Sequence, residues 1–276
     1  MTHFVCQFSC GAASAVATKL IIQDHGHRAD CRISIVNAFI EEEHPDNRRF
    51  LRECEKWFGI EIIVLQDEKY GASTLGVWKK KRYIKGHSGA PCTKALKRDV
   101  LNALRGPHDT MVLGFTVEEQ DRFDRFLDAN PDTHVIAPLI SRGLTKQDCF
   151  GLIAKAGIEL PMMYRLGYKN ANCVGCCKGG EGYWNKIRVD FPDRFEEVAA
   201  IQDMIGPGSF FFRNRKTGER ISLRELNPTA GRYNTENSTE CGVLCELVEF
   251  DNQPVKSDAA IAAIQRDKAD APRNAD

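Results

Sequence analysis

The chain reads as an α/β protein: a doubly wound, mostly parallel five-stranded sheet followed by a cysteine-rich C-terminal region. Short apolar or β-branched runs at residues 3–8, 33–39, 60–65, 111–115 and 135–139 alternate with helix-length amphipathic stretches. Alternation of this kind builds a parallel sheet covered by helices on both faces. The first run leads into a small-residue loop, Ser9-Cys10-Gly11-Ala12-Ala13-Ser14, of the sort that turns a strand into a helix. Beyond Gly157 the alternation ends, and cysteines crowd among glycines and asparagines.

Taken in order, the strand at 3–8 and its loop are followed by a helix over 13–24. Between the second and third strands, Phe50, Leu51, Cys54, Trp57 and Phe58 recur at helical spacing and predict a helix over 46–58. Helices are expected at 94–104, 117–129 and 146–156, with strands at 111–115 and 135–139 between them. Thr116 with Glu119, and Thr145 with Asp148, stand at capping-box spacing and mark two helix starts. Residues 160–182 read as loop, and 190–205 as a helix with Pro192 in its first turn. Residues 206–246 read as irregular structure with one hairpin joining 210–212 to 220–223. The expected organisation is a nucleotide-binding α/β domain over 1–158, a cysteine-rich cluster and active-site region over 159–250, and a flexible tail over 251–276.

A chain of 276 residues, 42% apolar and 28% charged, suits one large soluble domain with additions. Its 38 Lys and Arg balance 38 Asp and Glu, so bulk charge favours neither a nucleic-acid nor a membrane partner. No apolar stretch reaches the roughly 20 residues that cross a bilayer. Met1 runs into a strand without a signal-peptide layout, which makes the cytoplasm the expected address. Eleven cysteines, an odd number without a secretion signal, argue against a disulfide framework. Cys6, Cys31, Cys54 and Cys149 sit in apolar runs and read as buried thiols. Cys10, Cys92, Cys173, Cys176, Cys177, Cys241 and Cys245 lie in loop-like sequence and call for chemistry.

Between a strand end and a helix start, backbone N–H groups and the helix dipole can hold a phosphate. The Ser9–Ser14 loop therefore reads either as a phosphate site or as a tight turn that needs small residues. Cys92 follows Pro91 at a helix start, with Lys94 and Lys97 beyond it, a setting that suits a metal or cluster ligand. Gly114 ends a strand ahead of Arg122 and Arg125, whose guanidinium forks match phosphate or sulfate. The competing reading is an exposed helix laced with charge pairs. Cys173-x-x-Cys176 with a remote Cys92 suggests thiolate ligation of iron or zinc. Tyr183 and Trp184 follow that loop and could stack on a base or pack against the domain.

The phosphate loop, the Gly114–Arg122 stretch and the order Pro138-Leu139, Thr145-x-x-Asp148, Leu160-Pro161, Tyr164, Gly167-Tyr168, Cys173-x-x-Cys176 resemble the adenylyl-sulfate and phosphoadenylyl-sulfate reductase family, over roughly residues 4–245. The resemblance implies a sheet of the HUP/PP-loop type and an adenine sulfonucleotide held by Ser9, Cys10, Gly11, Ala12, Ser14, Gly114 and Arg122. It also implies a [4Fe-4S] cluster on Cys92, Cys173, Cys176 and a fourth arm, with zinc as the substitute. Cys245 is the chosen fourth ligand; Cys177, Cys241 or an open iron are the alternatives. Thr239-Glu240-Cys241-Gly242 resembles the family's C-terminal tail, making Cys241 the nucleophile that takes up the sulfate sulfur. Its release as sulfite implies a thiol reductant such as a thioredoxin or glutaredoxin. Ala13 stands where ATP-cleaving relatives carry Asp, while Ser238 and Leu244 replace the family's Lys and His. Two other readings therefore stand: an ATP-dependent sulfur-transfer enzyme acting on a nucleic acid or other acceptor, and a non-catalytic nucleotide-binding iron–sulfur protein. The sequence selects no oligomeric state.

Overall fold

A computed structural model describes residues 1–86, 89–214 and 216–236. Its centre is a five-stranded, all-parallel sheet in the order β3-β2-β1-β4-β5. The strands are β1 (Thr2–Gln7), β2 (Cys31–Ala38), β3 (Ile62–Leu65), β4 (Thr110–Val112) and β5 (Val135–Ile136). The central strand shows why the sheet is covered on both sides. Phe4 and Cys6 pack into one core with helices α1 (Ala12–His25), α2 (Asp46–Phe58) and α7 (Lys146–Lys155), while Val5 turns to the opposite face. There it meets Val36, Ala38, Leu65 and Leu101, the last from α5 (Asp99–Asn102). Successive side chains of a strand point to opposite faces. Burial on both faces therefore requires the continuous apolar runs seen in the sequence.

Several elements depart from expectation for identifiable reasons. Helix α3 (Thr74–Lys81) was not expected; Ser73 caps it by accepting from the Gly76 N–H, and Trp78 and Val77 bury its inner face. The helix expected at 94–104 starts at Pro91 as α4 (Pro91–Thr93), widens into a π turn over Lys94–Arg98, and ends with α5. The helix expected over 190–205 forms as α10 (Pro192–Ile205); before it lies α9 (Glu181–Asp190), which was not expected and stops at Phe191 because proline cannot continue it. The loop expected at 160–182 contains a single turn, α8 (Met162–Arg165). Helix α6 (Gln120–Ala129) follows a 3-10 turn, Val117–Glu119, and both expected capping boxes form. The hairpin pairs β6 (Phe212–Arg213) with β7 (Arg220–Ile221). Cys6, Cys54 and Cys149 are buried as expected, whereas Cys31, at the first residue of β2, is only half-buried.

A second core lies beside the sheet. It joins Val77 and Trp78 of α3, Cys92 and Leu96, the Cys173–Cys177 loop, Tyr183, Trp184 and Ile187 of α9, Val198 of α10, and Phe212. It is thus built from segments on both sides of residue 158. Among the described residues, no helix is long and apolar enough to cross a membrane.

Candidate functional site

In the order β3-β2-β1-β4-β5, consecutive connections leave β1 in opposite directions, so a crevice opens between the carboxyl ends of β1 and β4. Open parallel sheets bind ligands at that point. A cleft occupies it, lined by Ser9, Gly11, Ala13 and Ser14, by Gly114 to Thr116, and by Lys97, Arg122 and Lys146. Val36, Ala38, Leu101 and Leu113 supply apolar wall on the other side.

The loop over the cleft is internally braced. Cys10 adopts a left-handed φ of 56°, which turns the chain from β1 into α1. The Ser9 N–H donates to Ser14 Oγ at 3.2 Å, and Ser14 Oγ donates to the Gly11 carbonyl at 3.0 Å. Tyr164 overlies the loop, its hydroxyl accepting from the Ala12 N–H at 3.4 Å, in the first turn of α1. Gly114 lets the end of β4 meet that turn: a Cβ there would stand 2.6 Å from the Ser14 nitrogen.

Of the residues singled out for the nucleotide, Ser9, Gly11, Ser14, Gly114 and Arg122 line the cleft, and the side chains of Cys10 and Ala12 do not. Cys10 points into the core, where Asn37 Nδ2 lies 3.6 Å and Arg48 Nη2 3.8 Å from its sulfur. Burial pushes its thiol far above the ordinary range. Arg122 is held by Glu119 at 2.7 Å and lies over the Phe115 ring, while exposed Arg125 donates to the Asp121 carbonyl and stays outside. Sequence reasoning missed Lys146, which bonds Asn170 and reaches over Tyr164, because neither stands in a recognisable spacing.

Behind the cleft lies a smaller, narrow cavity, lined by Cys92, Cys173, Cys176 and Cys177 together with Ile40, Thr93, Lys97 and Lys178. All four cysteines are buried. Gly175, at φ 79°, bends the Cys173–Cys176 loop. Tyr183 holds that bend: its hydroxyl accepts from the Gly175 and Cys176 N–H groups, each at 3.0 Å, and donates to the Cys173 carbonyl at 3.2 Å. Tyr183 and Trp184 are thus packing residues of the second core. Thiol contacts with Cys176 and Cys92, aided by burial, push the Cys177 thiol well above its ordinary range. Among the described residues, no three His, Cys, Asp or Glu side chains converge as a single metal ion requires.

A buried polar network ties cavity to cleft. Lys97 lines both, and its ammonium lies 3.7 Å from the Glu43 carboxylate. Glu43 also accepts from Arg48 and Asn47, and Arg48 donates to Asn37 behind the phosphate loop. The backbone of Glu43 pairs with that of Cys173, and the Val174 N–H donates to the Glu42 carbonyl. The described chain ends close by: the Glu236 carboxylate accepts from the Gly182 and Tyr183 N–H groups at the start of α9, and Lys169 bonds the Glu236 carbonyl. Cys241 and Cys245 lie outside the described residues. No protein-family model matches the sequence, and no curated protein is similar to it.

Proposed function

We propose that the chain is a sulfonucleotide-reductase-like enzyme that binds adenylyl sulfate or phosphoadenylyl sulfate in the cleft above Ser9–Ser14. One observation carries the reading: Lys97 lines both the cleft and the four-cysteine cavity. An anion site and a thiol site back to back, sharing one ammonium, suit transfer of a sulfur group. The loop amides and Ser9 and Ser14 would take the nucleotide phosphate, with Lys97, Arg122 and Lys146 answering the remaining negative charge. Cys241 would attack the sulfate sulfur; the sulfur–oxygen bond to the nucleotide phosphate breaks, and AMP, or adenosine 3′,5′-bisphosphate from phosphoadenylyl sulfate, leaves. A dithiol of thioredoxin or glutaredoxin type would then reduce the S-sulfocysteine and release sulfite.

A [4Fe-4S] cluster fits the donor set of the cavity. In a cubane each iron takes its own thiolate, so the ligands stand at separate corners rather than converging on one point. Four soft, buried thiols lining one small cavity support this reading. Cys92, Cys173 and Cys176 would hold the group, with Cys177 as the fourth arm in place of Cys245; the net negative charge of the thiolate-bound cluster would be offset by Lys97, which lines the same cavity. ATP cleavage fits less well. The lining residues offer one carboxylate, Glu119, which is engaged with Thr116 and Arg122, and Ala13 supplies none for a magnesium-bound pyrophosphate.

The test is anaerobic purification with iron and sulfide analysis, then incubation with each sulfonucleotide or ATP and a dithiol. Sulfite release that is lost in Cys241→Ser is expected. Pyrophosphate and AMP from ATP without sulfite would favour ATP-dependent sulfur transfer instead, and tight binding without any product a non-catalytic role. Iron content should fall in Cys177→Ser and stay in Cys245→Ser.

A further inference from the structure

The chain's charge is balanced in total but not in distribution. From Lys69 to Arg98 there are nine Lys or Arg and no Asp or Glu, in a chain with 38 of each sign. Five of these cations stand around the C-terminal end of α3, all exposed: Lys69, whose carbonyl accepts from the Lys80 ammonium; Lys79, Lys80 and Lys81 in the last turn; and Arg82 just beyond. Among the described residues none of the five has a carboxylate within ion-pair distance, in contrast to Lys94 with Asp99 and Lys97 with Glu43.

Aromatic rings are interleaved with them. The ammonium groups of Lys69 and Lys80 both lie over the Tyr70 ring, 5.5 and 5.4 Å from its centre. Arg82, at a left-handed φ of 49°, donates to the Met204 carbonyl and leaves Tyr83 37% exposed. The same segment is a wall of the cysteine cavity: Trp78 lines it, and the Ile84 carbonyl lies 4.0 Å from Cys177 Sγ.

Fold stability does not call for this concentration of charge. A single cation in the last turn answers the helix dipole, and like charges packed side by side repel. A surface that keeps five such cations without ion-pair partners among the described residues is matched to an anionic partner, and Tyr83, exposed beside Arg82, matches a strand whose phosphates meet the lysines while a base stacks.

We propose that the outer face of α3, from Lys69 through Tyr83, binds single-stranded nucleic acid. This site is separate from the cleft, since none of Lys79, Lys80, Lys81 or Tyr83 lines it, and it stands whether or not the chain acts on sulfonucleotides. Binding here places a strand beside the wall of the cysteine cavity.

The test is fluorescence anisotropy of the full chain with labelled, mixed-sequence RNA and DNA single strands of about 20 nucleotides, across a salt series. Binding is expected to weaken with salt, log K against log salt falling by about 0.7 per phosphate neutralised. The triple variant Lys79→Gln, Lys80→Gln, Lys81→Gln should lose about tenfold or more in affinity and about two from the slope. Tyr83→Ala should weaken binding about fivefold and leave the slope unchanged. Thermal melts followed by circular dichroism, run in parallel, should be the same in all variants, which shows that they fold. No binding at about 50 mM salt, binding indifferent to the triple substitution, or tighter binding of polyglutamate than of either oligonucleotide would overturn the proposal.

Discussion

Tyr183 shows how one hydroxyl can define a loop. Its ring is buried among Tyr168, Trp184 and Tyr233, and its oxygen satisfies two N–H groups and one carbonyl of the Cys173–Cys176 bend. Tyr183→Phe keeps the packing but strands those groups in the interior. The expected cost is about 2–3 kcal/mol, read as a lower urea midpoint, with less iron retained on anaerobic purification. Gly114 is equally constrained by space. A Cβ there would stand 2.8 Å from the Ser14 Cα as well as close to its nitrogen, both backbone atoms of α1 that cannot swing aside. Gly114→Ala should cost about 1–3 kcal/mol, seen in thermal melts, and weaken AMP binding about tenfold in calorimetry as the loop shifts. Both residues were visible in the sequence: Gly114 was given a role at the site, and Tyr183 the open choice between stacking on a base and packing against the domain. The importance of Tyr183 depends on a hydrogen-bond geometry that no spacing encodes.

At the scale of elements, α2 is fastened to the start of α8 by a polar clasp. The Asp46 carboxylate accepts from Arg49 at 2.7 Å and from the Met162 N–H at 2.7 Å, while Arg49 donates onward to the carbonyls of Glu159 and Leu160. The hydrogen bond from Arg49 does most to hold the Asp46 carboxyl below its usual range, and the Met162 N–H adds to it. A carboxylate depressed in the folded state stabilises the fold above its unfolded value of 3.8, and that contribution is lost as pH falls through the lower folded value. Asp46→Asn should therefore be less stable by about 1–2 kcal/mol at pH 7, with the gap from the parent closing as pH falls below 3.8 in acid titrations followed by circular dichroism. Helix α2 was legible to the residue because its apolar positions repeat at helical spacing and Gly59 stops it in a left-handed turn. Helix α3 was not, because its amphipathic signal is short and three lysines end it. The Lys94–Arg98 π turn is equally silent in sequence, since widening a helix by one residue per turn leaves composition unchanged.

For the whole molecule, the sheet could be read from alternation alone, while the relation between its two cavities could not. That relation depends on Lys97, a residue the sequence offers only as one of several cations after Cys92, and on Glu43, which carries no motif. Their pairing puts a charged link between a cleft that suits an anion and a cavity of four thiols. An anion that draws Lys97 toward the cleft must loosen it from Glu43, whose backbone is paired with that of Cys173. Occupancy of the cleft should then change how readily the buried thiols react. In the iron-free protein, maleimide labelling of Cys92, Cys176 and Cys177, followed by mass spectrometry, should change rate about fivefold or more when a sulfonucleotide is added. Lys97→Met should abolish that change at saturating nucleotide, whereas Lys146→Met, which alters the cleft alone, should keep it. Equal labelling rates with and without nucleotide in the parent protein would mean that the two cavities, though adjacent, work independently.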